Sequence, residues 1–109
     1  MMSKEQMKEL EKKAQALTLS KFGSARLRYL KEHRKDTYRE YLESGELENH
    51  LLELDKEALK QRDLIMKQQM KADGVNETLK DSNYPLYLAK METIQTDANH
   101  QVMQEMIFV

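Results

Sequence analysis

From Glu46 to Asp73 the chain runs without a glycine or a proline. Leu, Met, Glu, Lys and Gln fill most of that stretch, residues that lose little rotamer freedom in a helix. The run predicts one continuous helix of about 28 residues, on the order of 42 Å long. Leu47, Leu51, Leu54, Ala58, Ile65 and Ala72 form one row along it, and Leu52, Leu59, Met66 and Met70 an adjoining one. An apolar arc of that width serves two neighbouring helices, so the rest of the chain has to be arranged around this spine. With 109 residues, three glycines, one proline and 34% charged side chains, the expected fold is all-α: a single-domain helical bundle of about four or five helices around the 46–73 helix. Asp55 and Arg62 fall inside the apolar arc, where a structural polar pair is the expected reading.

The flanking segments carry local punctuation. Ser3 with Gln6 three residues on is a capping-box pattern, and Met7, Leu10, Ala14 and Leu17 then share one face. This predicts an N-terminal helix within residues 1–20, peripheral to a body formed by 21–109. Gly23 reads as a stop and Ser24 as the next cap. Leu27, Leu30, Thr37, Tyr38 and Tyr41 then face the core, with a break foreseen near Asp36 or Thr37, and Ser44-Gly45 ends that segment. Gly74 closes the spine, Val75 packs back on it, Asn76 caps a short turn through Leu79, and Pro85 suits the first position of a last helix. Along that helix Tyr84, Leu88, Met91, Ala98, Val102, Met106 and Val109 share a face.

Charge is unevenly distributed although the formal net charge is only -1. From Lys21 to Arg39 the basic residues Lys21, Arg26, Arg28, Lys31, Arg34, Lys35 and Arg39 outweigh Glu32 and Asp36. Arg28, Lys31, Lys35 and Arg39 follow one another at helical spacing, a basic ridge suited to phosphate contacts, with Arg26 and Arg34 close by. From Glu40 onward the balance reverses. Glu40, Glu43 and Glu46 lead an acidic block that suits a basic partner protein instead. Glu53 with Lys56, and Asp63 with Lys67, have the spacing of intrahelical ion pairs.

The chemistry-bearing residues form no reactive constellation. His33, His50 and His100 are scattered, and there is no cysteine, so neither a metal site nor a thiolate centre is expected. The serines stand at helix starts or beside glycines, and no glycine-rich phosphate loop occurs. The expectation is a non-enzyme with no cofactor, no metal and no small-molecule substrate. The N-terminal residues are polar from the third onward, and no apolar run approaches the roughly 20 residues of a membrane span. A cytoplasmic protein without membrane partners follows as the expectation.

Arg28-Tyr29-Leu30-Lys31-Glu32-His33-Arg34, then Tyr38 and Leu42, then Ser44-Gly45-Glu46-Leu47 with Leu51, Leu54 and Asp55, resemble the TnpV family of small transposon-encoded bacterial proteins. Gly74-Val75-Asn76-Glu77, Leu79-Lys80, Met91, Ile94 and Ala98 resemble that family's second half, so the likeness spans roughly residues 22 to 109. The Ser3 to Leu19 segment stands where the family has a short proline-bearing lead-in, and Glu46 stands where it often has lysine. The resemblance implies a mobile-element setting akin to excisionase-like recombination accessories, and carries no catalytic residues.

Together these observations point to an accessory of a mobile genetic element that binds DNA or the element's recombinase through the basic ridge. An element-borne, anti-CRISPR-like inhibitor that blocks a nuclease or other nucleic-acid enzyme through Glu40, Glu43 and Glu46 is the alternative from another class. A structural homodimer joined through the apolar end, Met106 and Phe108, is a third.

Overall fold

A computed structural model describes residues 3–109, and among them the chain is all-α, with no strand. Helix α1 (Lys4–Gln15) begins at the Ser3 capping box: Ser3 Oγ accepts from Gln6 N at 3.2 Å while the Gln6 side chain accepts from Ser3 N at 3.1 Å. It ends at Ala16, short of the position its sequence pattern allowed. Helix α2 (Lys21–His33) starts at Ser20, whose Oγ accepts from Phe22 N. Gly23 therefore does not stop a helix, and Ser24 does not cap one. Gly23 lies in the first turn of α2, where a Cβ would come within 3.1 Å of the Asp55 side chain and 3.0 Å of Leu19. Here glycine is required for close approach, not for a left-handed turn.

The break that follows falls at Arg34 (φ −137°, ψ 57°), before the Thr37-Glu40 capping pattern, and α3 (Lys35–Ser44) continues from there. Gly45 closes α3 with φ 76°, and the Gly45 and Glu46 amides donate to Leu42 O and Tyr41 O. The long helix α4 (Leu47–Ala72) is 26 residues, about 39 Å. Gly74 (φ 66°) reverses the chain, Val75 N donates to Met70 O, and the Val75 side chain is buried. Asn76 caps α5 (Glu77–Ser82) through Leu79 N, and Asn83 caps α6 (Tyr84–Val102), with Pro85 in its first turn.

Two compact units result: Met1–Glu57 with Phe108, and Ala58–Ile107 with Val109. The core of the first is Ala14, Leu30, Tyr38, Leu42, Leu47 and Leu51, with Met7, Leu10, Leu17 and Leu19 packed against it. Helix α1 thus contributes one fully buried side chain, Ala14, and an apolar edge to this core. In the second unit Ala58, Val75, Ile94, Ala98, Val102 and Ile107 are buried.

The inward line of α6 differs from the one its spacing suggested. Tyr84 and Leu88 are 51% and 48% exposed, and the line passes through Met91, Ile94, Ala98 and Val102. Beyond Val102 the backbone is π-helical over Met103–Ile107. The wider turn adds a residue to the repeat, so Ile107, fully buried, takes the inward position that Met106 would hold in a continuous α-helix. No helix among the described residues is long and apolar enough to cross a membrane.

Candidate nucleic-acid interface

The α2–α3 pair carries every basic residue of the candidate surface, and its geometry is set by the start of α2. The first N–H groups of a helix have no intrahelical acceptor. In α2 they are served by a residue 35 positions away: Asp55 of α4 accepts from Ser20 N at 3.0 Å, from Gly23 N at 2.8 Å and from Ser20 Oγ through a short hydrogen bond. The carboxylate also faces the positive end of the α2 dipole. Burial by itself would raise the Asp55 pKa, but the bonds from Ser20 and Gly23 outweigh it and hold the carboxyl below its ordinary value. Arg62, the partner expected for Asp55, instead donates to Asp63 at 3.1 Å. Asp63 in turn pairs with Arg62 and not with Lys67.

Arg26 has to be removed from the exposed surface. It is 8% exposed, and its Nε–H donates to His50 Nε2 at 3.3 Å. The His50 ring stacks on Tyr41, centroids 4.4 Å apart and planes 14° from parallel. Accepting at Nε2 requires a neutral imidazole with its proton on Nδ1. Burial, then the nearby Arg26 charge, push the His50 pKa down, with Glu53 opposing weakly. Arg26 is thus a structural cation tying α2 to α4. Helical spacing alone could not separate it from the ridge, because its partner lies 24 residues away.

The remaining ridge residues divide at the Arg34 break. Lys31 from α2 and Lys35 and Arg39 from α3 line one groove together with Met7, Glu11 and Tyr38. Glu11 is the acid on this groove, and it accepts from the Tyr38 hydroxyl at 3.0 Å. Burial and that bond raise the Tyr38 pKa, so the phenol stays protonated as donor. The Lys31 ammonium sits 5.9 Å from the Tyr38 ring centroid. Arg28 lies on a separate pocket with Tyr29, His33 and Phe108, and Arg34 at the break is exposed, with its guanidinium 5.5 Å from the Tyr29 centroid. None of Arg28, Lys31, Lys35 and Arg39 is in an ion pair among the described residues.

The candidate protein-contact residues separate in the same way. Glu40, Glu43 and Glu46 are exposed. Met106 is half-buried, and Phe108, 44% exposed, packs its ring 5.5 Å from Tyr29. Among the described residues no group of three or more His, Asp or Glu side chains has the arrangement of a metal site.

No curated protein and no solved structure matches the chain. The model of one family, described as transposon-encoded protein TnpV, matches residues 5–107 and so takes in α1 as well as everything from α2 onward. With nearly its whole length covered, the chain belongs to the TnpV family of transposon-encoded proteins.

Proposed function

We propose that this chain is a non-enzymatic accessory of a mobile genetic element that works in the cytoplasm by binding DNA through Arg28, Lys31, Lys35 and Arg39. The observation that carries the proposal is the convergence of Lys31, Lys35 and Arg39 from two helices on one groove, with no carboxylate in an ion pair with them among the described residues. A cation that is not held in an ion pair remains available to phosphate and releases a condensed counterion on contact. Glu11 is the single acid lining that groove against three cations, so the balance of charge there stays positive. The acids Glu40 and Glu43 would meet a phosphate backbone repulsively, which orients DNA toward the groove side of α3.

The role is one of positioning, since phosphate contacts set register without reading sequence. Charge reversal of Arg28, Lys31, Lys35 and Arg39 to glutamate tests it, with element-end duplex DNA as ligand and circular dichroism as the control for folding. Loss of binding with unchanged helicity supports the proposal. Binding that persists in the reversed variant removes it.

A further inference from the structure

One pocket of the first unit is not accounted for by phosphate contacts alone. Arg28, Tyr29, Glu32, His33 and Phe108 line a cavity of about 350 Å³. All of them belong to the same compact unit, Phe108 included. Tyr29 anchors the aromatic wall: its centroid is 5.3 Å from His33 and 5.5 Å from Phe108, with planes tilted by 38° and 54°. The Arg34 guanidinium lies 5.5 Å from the Tyr29 centroid and that of the buried Arg26 5.9 Å from it. His33 and Glu32 keep 61% and 60% of their side-chain surfaces exposed, so the polar edge of the pocket is open.

Three aromatic rings, two guanidinium groups and one carboxylate acceptor match the parts of a nucleotide. Rings offer a stacking surface to any base, because every base has a π-face. Guanidinium groups take phosphate. The Glu32 carboxylate is an acceptor for an exocyclic amino group, the pairing by which acidic side chains meet cytosine. A bare phosphate would make no use of the rings. A base inside a duplex cannot reach them, because it is stacked and paired.

We propose that this aromatic pocket takes up one unpaired base of single-stranded DNA, with Arg28 and Arg34 on its flanking phosphates. The inference rests on the DNA-binding reading above and adds strand preference to it. Arg28, one of the four proposed phosphate-contacting residues, lines the aromatic pocket itself, apart from the groove of Lys31, Lys35 and Arg39. A recombination accessory with this property holds an opened or single-stranded element end.

The test compares a labelled single strand with the matching duplex by fluorescence anisotropy, for wild type, Phe108→Leu and His33→Ala. Phe108→Leu keeps apolar volume and removes the ring, and His33→Ala alters an exposed side chain, so folding is preserved in at least the second. Each variant is expected to weaken single-strand binding on the order of tenfold and to leave duplex binding unchanged. Single-strand affinity unchanged in both variants, with duplex binding intact, overturns the pocket alone. A wild type that binds neither form of DNA overturns the pocket and the DNA-binding reading together.

Discussion

Replacing Asp55 with alanine removes the acceptor for the start of α2, and the cost follows from the atoms involved. Oδ1 accepts from Gly23 N and Ser20 Oγ, and Oδ2 from Ser20 N. The Gly23 donor is buried and is left without a partner, at about 1–3 kcal/mol. The Ser20 amide is partly accessible and regains water, which reduces its share to roughly 0.5–1 kcal/mol. Loss of the negative charge at the N-terminus of α2 adds about 0.3–1 kcal/mol. The expected destabilisation is therefore about 3 kcal/mol, which lowers the thermal midpoint by roughly 12–24 °C in a protein of this size. Asp55→Asn separates the parts. Its oxygen, placed at Oδ1, keeps Gly23 N and Ser20 Oγ, while its amide confronts Ser20 N donor to donor, so it should cost about half as much.

Urea unfolding followed at the helical circular dichroism band measures both, with Asp63→Ala as the exposed control, expected at about 0–1 kcal/mol. An Asp55→Ala cost no larger than that of the control would refute the tertiary cap. The pH dependence is a second readout. Because the folded-state pKa of Asp55 is lowered, its contribution is fully present above the unfolded value of about 3.9 and disappears as pH falls from there through the folded value. The Asp55→Asn variant should lack that part of the acid transition.

Three further outcomes are expected. Gly23→Ala, which at an unconstrained helical site would gain about 1 kcal/mol, should destabilise by about 1–2 kcal/mol in the same urea assay, because its Cβ meets Asp55 at 3.1 Å. His50 has a lowered folded-state pKa, so the wild type should lose stability as pH falls from about 6.5 through the folded value, and His50→Gln should show no such segment in a pH series of melts. Ile107→Ala should cost about 2–5 kcal/mol and Met106→Ala clearly less; equal costs in thermal melts would contradict the inward shift at the π-helical turn.

Sequence made most of the local architecture legible, because its signals are short-range. The Ser3 capping box, the left-handed glycines at Gly45 and Gly74, the Asn76 cap and the breaker-free run that became α4 each depend on residues within one or two turns. What it could not display are pairings across long separations. Ser20 and Gly23 with Asp55, and Arg26 with His50, join residues 24 to 35 apart and decide where α2 starts and which cation is buried. Gly23 was ambiguous for a physical reason: the absence of a Cβ serves a left-handed stop and a close helix contact equally well. Along α6 the expected inward residues Met91, Ala98 and Val102 match the structure, Tyr84 and Leu88 at its start do not, and beyond Val102 four-residue spacing points to Met106 where the π-helical turn brings Ile107 inward. At the candidate interface, the spacing of Arg28, Lys31, Lys35 and Arg39 was legible, while the grouping of Lys31, Lys35 and Arg39 around Glu11 and Tyr38 depends on α1, which no periodicity could place.

The most direct test of the basic surface is the salt dependence of duplex DNA binding by the wild-type protein. If four side chains neutralise phosphates, log K against log salt concentration should fall with a slope of about −3.6, and each single reversal among Arg28, Lys31, Lys35 and Arg39 should make it shallower by about 0.9. A slope near zero, or one that the four reversals leave unchanged, would contradict the assignment of DNA binding to this surface.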